Sequence, residues 1–243
     1  MLFTLIQFRR TTSTQTWLRD WARLGAREGL VVQALAQTAG RGRLQRSWHS
    51  PYNEGLYLSV LLRPAIPLAR ASHLTMLVSL AAIEACQIVA GVSPAPKWPN
   101  DLLWQGRKLA GVLTELENQQ DRLSYAVIGL GLNVNTDFSE TPLAETAISL
   151  QQITGHSVKL PALRDAYLDA LAKRYQRFLA GESPVPAWKA RLEPLGRSVR
   201  VVQPGQTSVE GVAIDVNAAG ALLVQDSTGA IHTIWAGDVT VNS

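Results

Sequence analysis

A single cysteine, Cys86, stands among 243 residues. That excludes a disulfide framework and any cysteine-rich metal site, and it fits a reducing compartment. The four histidines (His49, His73, His156 and His232) lack metal-ligand spacing, so no metal-ligating side chain is assigned. No Gly-x-Ser-x-Gly elbow is present, which leaves serine-triad chemistry without support. There is no Walker loop and no GxGxxG fingerprint. Charged residues are scarce, at 17%, against 47% hydrophobic ones. With 18 glycines and 12 prolines the balance is that of a soluble globular chain rather than a fibrous or low-complexity one. Residues 1–8 are apolar only briefly before Arg9 and Arg10, the wrong order and length for a secretory signal. The longest apolar run, residues 74–92, is broken by Glu84 and Gln87. Its Leu74, Leu77, Val78, Ala81, Ala85, Ile88 and Val89 recur at helical spacing, which predicts a buried amphipathic helix rather than a membrane span. A cytoplasmic protein without membrane contact is expected.

What is present is a mild positive charge, +4, carried mostly by 18 arginines. Arginine is the better bidentate binder of phosphate and carboxylate. The arginines form no cationic tail, so a nucleic-acid arm is not indicated.

The coarse pattern is α+β. A helix opens at Ser13 or Thr14, either of which can cap it, with Trp17, Leu18, Trp21 and Leu24 on one face and Gly25 beyond its end. Strands are expected over 30–37 and 55–62, and a long helix over 72–90. A hairpin follows, with arms 101–104 and 107–117 around a Gln105-Gly106 turn, then a strand over 125–134. Two or three helices come next, one over 163–179 with Ala166, Tyr167, Ala170, Leu171, Tyr175 and Phe178 inward. Beyond Gly196 the helical period stops. Five short strands (199–202, 209–216, 221–225, 231–235, 239–241) with turns at 204–205, 217–220 and 227–229 predict a small barrel. The expected domains are 1–195 and 196–243.

Four features could carry chemistry. Gly40-Arg41-Gly42-Arg43, with Arg46 and Trp48, offers backbone amides, three guanidinium groups and a flat ring for a purine. As a tetrapeptide alone it reads more readily as a solvated loop. In Lys-Trp-Pro-Asn-Asp (97–101) and Lys-Leu-Ala-Gly (108–111), hairpin alternation puts Asp101 opposite Ala110 and on the same face as Lys108. That pair is either a surface ion pair or a bracket for a carboxylate–phosphate centre. Gly-Leu-Gly-Leu-Asn-Val-Asn (129–135) marks a close approach or tight strand packing. Thr-Ser-Thr (12–14) is a helix cap that also offers hydroxyls to a ligand. Cys86 reads as a core residue.

Taken in order, Thr-Ser-Thr, Gln37 before Gly-Arg-Gly-Arg, Trp48, Ser50-Pro51, Gly-Leu-Tyr-Leu-Ser (55–59), Lys-Trp-Pro-Asn-Asp, Lys-Leu-Ala-Gly and Gly-Leu-Gly-Leu-Asn-Val-Asn resemble the biotin protein ligases over residues 12–135. The tail resembles their C-terminal barrel. The resemblance implies a mixed, mostly antiparallel sheet flanked by helices, related to class II aminoacyl-tRNA synthetases, with a small SH3-like barrel. It implies two steps: biotin and ATP give biotinyl-5′-AMP, and a lysine of a biotin carboxyl carrier protein then displaces AMP. Mg²⁺ is expected with ATP. The catalytic motifs begin at Thr12, so the form without an N-terminal DNA-binding domain is expected, as a monomer or homodimer that binds no DNA.

Residue by residue, the resemblance places Ser13, Thr14, Gln37, Gly40, Arg41, Arg43, Lys108, Gly111, Leu113, Gly129 and Gly131 at biotin. It places Arg41, Arg43, Arg46, Trp48, Asn100, Lys108 and Asn133 at ATP, and Lys108, Arg43 and Asp101 at the chemistry. Strict alternation sets Lys108 on the opposite face from Gly111 and Leu113, so a bulge near Ala110 is expected. Gln45 stands where many members have glycine, and Thr12 and Gln15 where an acidic residue and asparagine are common. A lipoate or octanoate ligase of the same fold is the nearest alternative. A non-enzymatic nucleotide- or nucleic-acid-binding module is an alternative of another class.

Overall fold

The computed structural model describes residues 2–193, 195–203, 205 and 207–241. Pro204, the first residue of one expected turn, lies outside the described residues, as do Met1 and residues 242–243 at the ends of the expected domains.

Twelve strands and five helices follow one another along the described residues. The first sheet contains β1 (Thr4–Phe8), β2 (Leu30–Ala34), β3 (Gly55–Leu62), β4 (Ala95–Lys97), β5 (Asp101–Trp104), β6 (Arg107–Gln119) and β7 (Arg122–Asn133). Its order is β1-β2-β3-β7-β6-β5-β4, and only the β1–β2 pair is parallel. The helices are α1 (Thr14–Arg23), α2 (Ser72–Ala90), α3 (Leu150–Thr154), α4 (Leu160–Leu179) and α5 (Val185–Lys189).

β3 is buried at every position because both faces of the sheet are covered. Alternation divides its neighbours cleanly. Val32, Leu61 and Val127 pack against Leu18 and Ala22 of α1. Val31, Val60, Ala126 and Ile128 belong to the larger core on the other face, with α2 and α4.

α2 is long and apolar enough to cross a membrane by length and composition. Here it is a core helix, buried on most sides rather than amphipathic, because the first sheet, α4, α5 and the 217–220 turn pack against it. Ile88, expected inward, is 66% exposed near its end. Burial pushes the Cys86 thiol up to about 12, so it stays protonated and inert.

α1 departs from expectation in two ways. Ser13 occupies the N-cap position, yet its hydroxyl makes no capping bond. Trp17 and Leu24 are exposed; Trp17 instead stacks on Phe8 at the end of β1, with Trp21 tilted against both rings. β1 and β4 had no clear sequence signal, and the strand expected over 30–37 ends at Ala34.

The second sheet contains β8 (Ser198–Val202), β9 (Val209–Val216), β10 (Leu222–Gln225), β11 (Ile231–Ile234) and β12 (Asp238–Val241). Its order, β11-β10-β9-β8-β12, returns the last strand to the side of the first, the order of an SH3-like barrel. Its interior (Val199, Val201, Ala213, Leu222, Val224, Ile234) joins the same apolar core as α2. The 217–220 turn docks on the start of α2. Ser72 Oγ donates to the Ala219 carbonyl at 2.6 Å, and Trp98 Nε1 to that of Gly220 at 3.0 Å.

His73 completes this joint. Its Nε2 lies 2.8 Å from the Ala218 carbonyl oxygen and so carries the hydrogen, while Nδ1 is buried with no partner among the described residues. Burial holds its pKa below the ordinary 6.5. The unfolded chain therefore takes up the proton first. Stability is full above pH 6.5 and falls as pH drops below it toward the lower folded value. Thermal melts between pH 7.5 and about 5 are expected to show this loss, and to show less of it in His73→Gln. An equal loss in the variant contradicts the assignment.

Candidate active site

The cleft, of about 270 Å³, lies on the α1 face of the first sheet, beyond the N-terminus of α1. Glycine makes it possible. Gly111 and Gly131 form a cross-strand pair on that face, as do Leu113 and Gly129. Three missing side chains lower the floor, as expected at a close approach. Part of the space belongs to the protein. A Cβ on Gly131 would lie 2.4 Å from Cε2 of Trp48, and one on Gly129 would lie 2.7 Å from Oε1 of Gln15.

The expected bulge is present. Trp104 pairs with Arg107 and Leu103 with Lys108, but Leu102 pairs with Ala110, leaving Leu109 as the extra residue. The shift places Asp101 opposite Gly111, not Ala110. It also turns Lys108 onto the cleft face: its Nζ lies 2.8 Å from Asp101 Oδ1 and 5.4 Å from the centre of a Trp48 ring. The ladder on the other side of Lys108 is taken by residues 146–148, which accept its amide and donate to its carbonyl. Among the described residues no group of three or more His, Cys, Asp or Glu could hold a metal ion.

The arginine loop crosses the cleft, tied at three points. Arg41 Nη2 lies 2.9 Å from Glu115 Oε1. Arg43 Nη1 donates to Asn100 Oδ1 at 2.9 Å and to the Gly237 carbonyl at 3.4 Å. Arg46 pairs with Asp238 at the start of β12. Leu44 and Gln45 both have positive φ, 53° and 60°. That conformation suits glycine better than leucine or glutamine, so the loop carries local backbone strain at these two positions.

The deep end carries a polar chain with a direction. Thr14 Oγ1 and Ser59 Oγ are 2.9 Å apart, and Ser59 donates to Gln15 Oε1 at 2.9 Å. Gln15 Nε2 then donates to the carbonyls of Val127 (2.9 Å) and Leu113 (3.4 Å). Gln37 Oε1 accepts the Thr14 amide, and its Nε2 donates to Ser50 Oγ.

Of the residues singled out in the sequence, Ser13, Thr14, Gln37, Arg41, Arg43, Arg46, Trp48, Asn100, Asp101, Lys108, Gly111, Leu113, Gly129, Gly131 and Asn133 all line this cleft. Gly40 does not line it: a Cβ there would lie 2.5 Å from the Trp48 carbonyl oxygen, so its role is to let the loop close on itself. Asn100 and Asn133 spend their amide nitrogens on main-chain carbonyls of Val112, Lys108 and Ile148.

Sequence reasoning named Gln15 only as a departure from the family pattern and Ser59 only within its motif, placing neither at the floor, and it did not place Phe138, Leu143, Thr146 and Ala147 on one wall or Asp238 from the second sheet. Ser59 had a signal, a lone polar residue in the buried run Gly55–Leu62. Asp238 had none, being 192 residues from Arg46.

The biotin/lipoate A/B protein ligase family model matches residues 7–133, and the biotin protein ligase C-terminal domain model matches 195–241. The bifunctional ligase/repressor BirA of Bacillus subtilis is 34% identical over 232 residues, covering 94% of this chain and 71% of that protein. The biotin–[acetyl-CoA-carboxylase] ligase of Mycobacterium tuberculosis is 32% identical over 236 residues, covering 95% and 86% respectively. Among solved structures, the biotin protein ligase of Aquifex aeolicus in complex with biotin and ATP matches with a TM-score of 0.83 at 28% identity, over 98% of each chain. With the non-enzymatic reading thereby set aside, the chain belongs to the biotin/lipoate A/B protein ligase family, and within it to the biotin protein ligases.

Proposed function

We propose that this cleft joins biotin to ATP and passes the biotinyl group to a lysine of a biotin carboxyl carrier protein. The observation that carries the reading is the bulge at Leu109, which sets Lys108 beside Asp101 and Gly111 beneath the arginine loop. The named relatives support the choice of acid and acceptor.

In the first step a biotin carboxylate oxygen attacks the α-phosphorus of ATP, and the bond to the β-phosphate oxygen breaks. Both reactants are anionic, so the step needs fixed cations where charge gathers. Lys108 and Arg43 supply them. Arg41 and Arg46 hold the remaining phosphate oxygens, and Trp48 offers its face to the adenine. Ser13, Thr14 and Gln37 meet the polar head of biotin, and Gly111, Leu113, Gly129 and Gly131 admit its body. In the second step the neutral lysine amine of the carrier attacks the acyl carbon; AMP leaves and one proton is released. Asp101 is placed to steer Lys108 and to receive the incoming amine.

The cleft carboxylates, Asp101 and Asp238, are each already paired with a cation. That donor set would suit Mg²⁺ held mainly by phosphate oxygens and water, with Asp101 the side chain that would reach it, and the ion would neutralise charge on ATP. The catalytic unit in this reading is residues 1–195, with 196–243 as a barrel that anchors the loop.

Intact-mass measurement of a carrier domain incubated with protein, biotin, ATP and Mg²⁺ tests it. One biotinyl group on the acceptor lysine is expected. No modification, or lipoyl transfer in preference to biotinyl, overturns the reading.

A further inference from the structure

Glu115 lies next along the cleft face of β6 after Gly111 and Leu113, where the floor meets α1. Its Oε1 is 2.9 Å from Arg41 Nη2 and 3.9 Å from Arg19 Nη1, so one oxygen faces two cations from two elements. Its Oε2 is buried with no partner among the described residues. Arg19 Nε, also buried, lies 3.6 Å from Asp20 Oδ1 and has no hydrogen-bond partner among the described residues. We propose that Glu115 is a positioning residue for nucleotide binding: its carboxylate holds Arg41 over the cleft and ties the arginine loop to α1. This rests on the reading of the cleft as an ATP site.

Two physical effects of Glu115 on an anionic ligand oppose each other. By Coulomb's law its negative charge weakens the pull of Arg41 on phosphate. By restraint it removes the rotamer freedom that an arginine on a loop would lose when ATP binds. The Arg41 side chain is 42% exposed, so solvent screens the first effect. The second is not screened, and among the described residues Arg41 makes no other ion pair. Restraint should therefore win.

Glu115→Gln keeps the shape and removes the charge. It is expected to raise KM for ATP about fivefold, with KM for biotin and the melting temperature nearly unchanged. Glu115→Asp should recover part of the loss. Equilibrium ATP binding, which needs no turnover, should show Glu115→Gln adding nothing once Arg41 is alanine. An unchanged or lowered KM for ATP in an otherwise active Glu115→Gln, or full additivity with Arg41→Ala, overturns the proposal. So do parallel losses in both KM values and in thermal stability, which mark a structural role. A wild-type protein that shows no biotin-dependent turnover contradicts the functional reading instead.

Discussion

Lys108→Ala is expected to lower biotin-dependent pyrophosphate exchange by about 10²–10³-fold. The size follows from what the ammonium faces. Two anions must touch, and Lys108 is the cation that the Leu109 bulge delivers to the glycine floor. Its partner Asp101 cannot replace it, and Arg43 is already tied to Asn100 and Gly237. Little stability should be lost, because the Lys108 side chain is 37% exposed and such ion pairs contribute little to folding. Exchange kinetics beside a thermal melt check this. A folded Lys108→Ala protein with exchange within threefold of wild type removes Lys108 from the chemistry.

Gly131→Ala should cost about 100-fold in kcat/KM while leaving the fold intact. Gly131 does not have positive φ, so alanine brings no backbone strain there. The cost is steric and local. The new methyl would sit 2.4 Å from Cε2 and 2.5 Å from Nε1 of Trp48, so the indole must move. Trp48 is joined to the loop that carries Arg41, Arg43 and Arg46, and its amide donates to the Gly40 carbonyl at 2.9 Å. A shift of the ring therefore shifts the cations. The double variant with Trp48→Ala removes the clash, and should be no worse than Trp48→Ala alone. If it is much worse, the methyl acts instead on the biotin slot that Gly131 also lines.

Much of this was legible in the sequence where period and turn chemistry agree. Gly55–Leu62 reads as a strand and is one, and Gln105-Gly106 reads as a two-residue turn and has positive φ at both positions. The bulge was legible for another reason: Lys108 and Gly111 can serve one pocket only if alternation fails between them. Features set by distant packing were not legible. α2 looks amphipathic in isolation, and is instead buried on most sides, with the 217–220 turn of the C-terminal sheet docked on its start through Ser72 and His73 while Ile88 near its end stays exposed. Gly40 looks like a ligand-facing glycine, but the Trp48 carbonyl takes that space. Gln15 looks like an ordinary first-turn residue, and its amide braces two strands that lie about 100 residues ahead in the chain.

The most direct test is isotope exchange between pyrophosphate and ATP, with Mg²⁺ and with biotin either present or absent. The cleft described here predicts label entering ATP only when biotin is added, and losing that response in Lys108→Ala. No exchange with biotin, or exchange driven by lipoate and not by biotin, would contradict it.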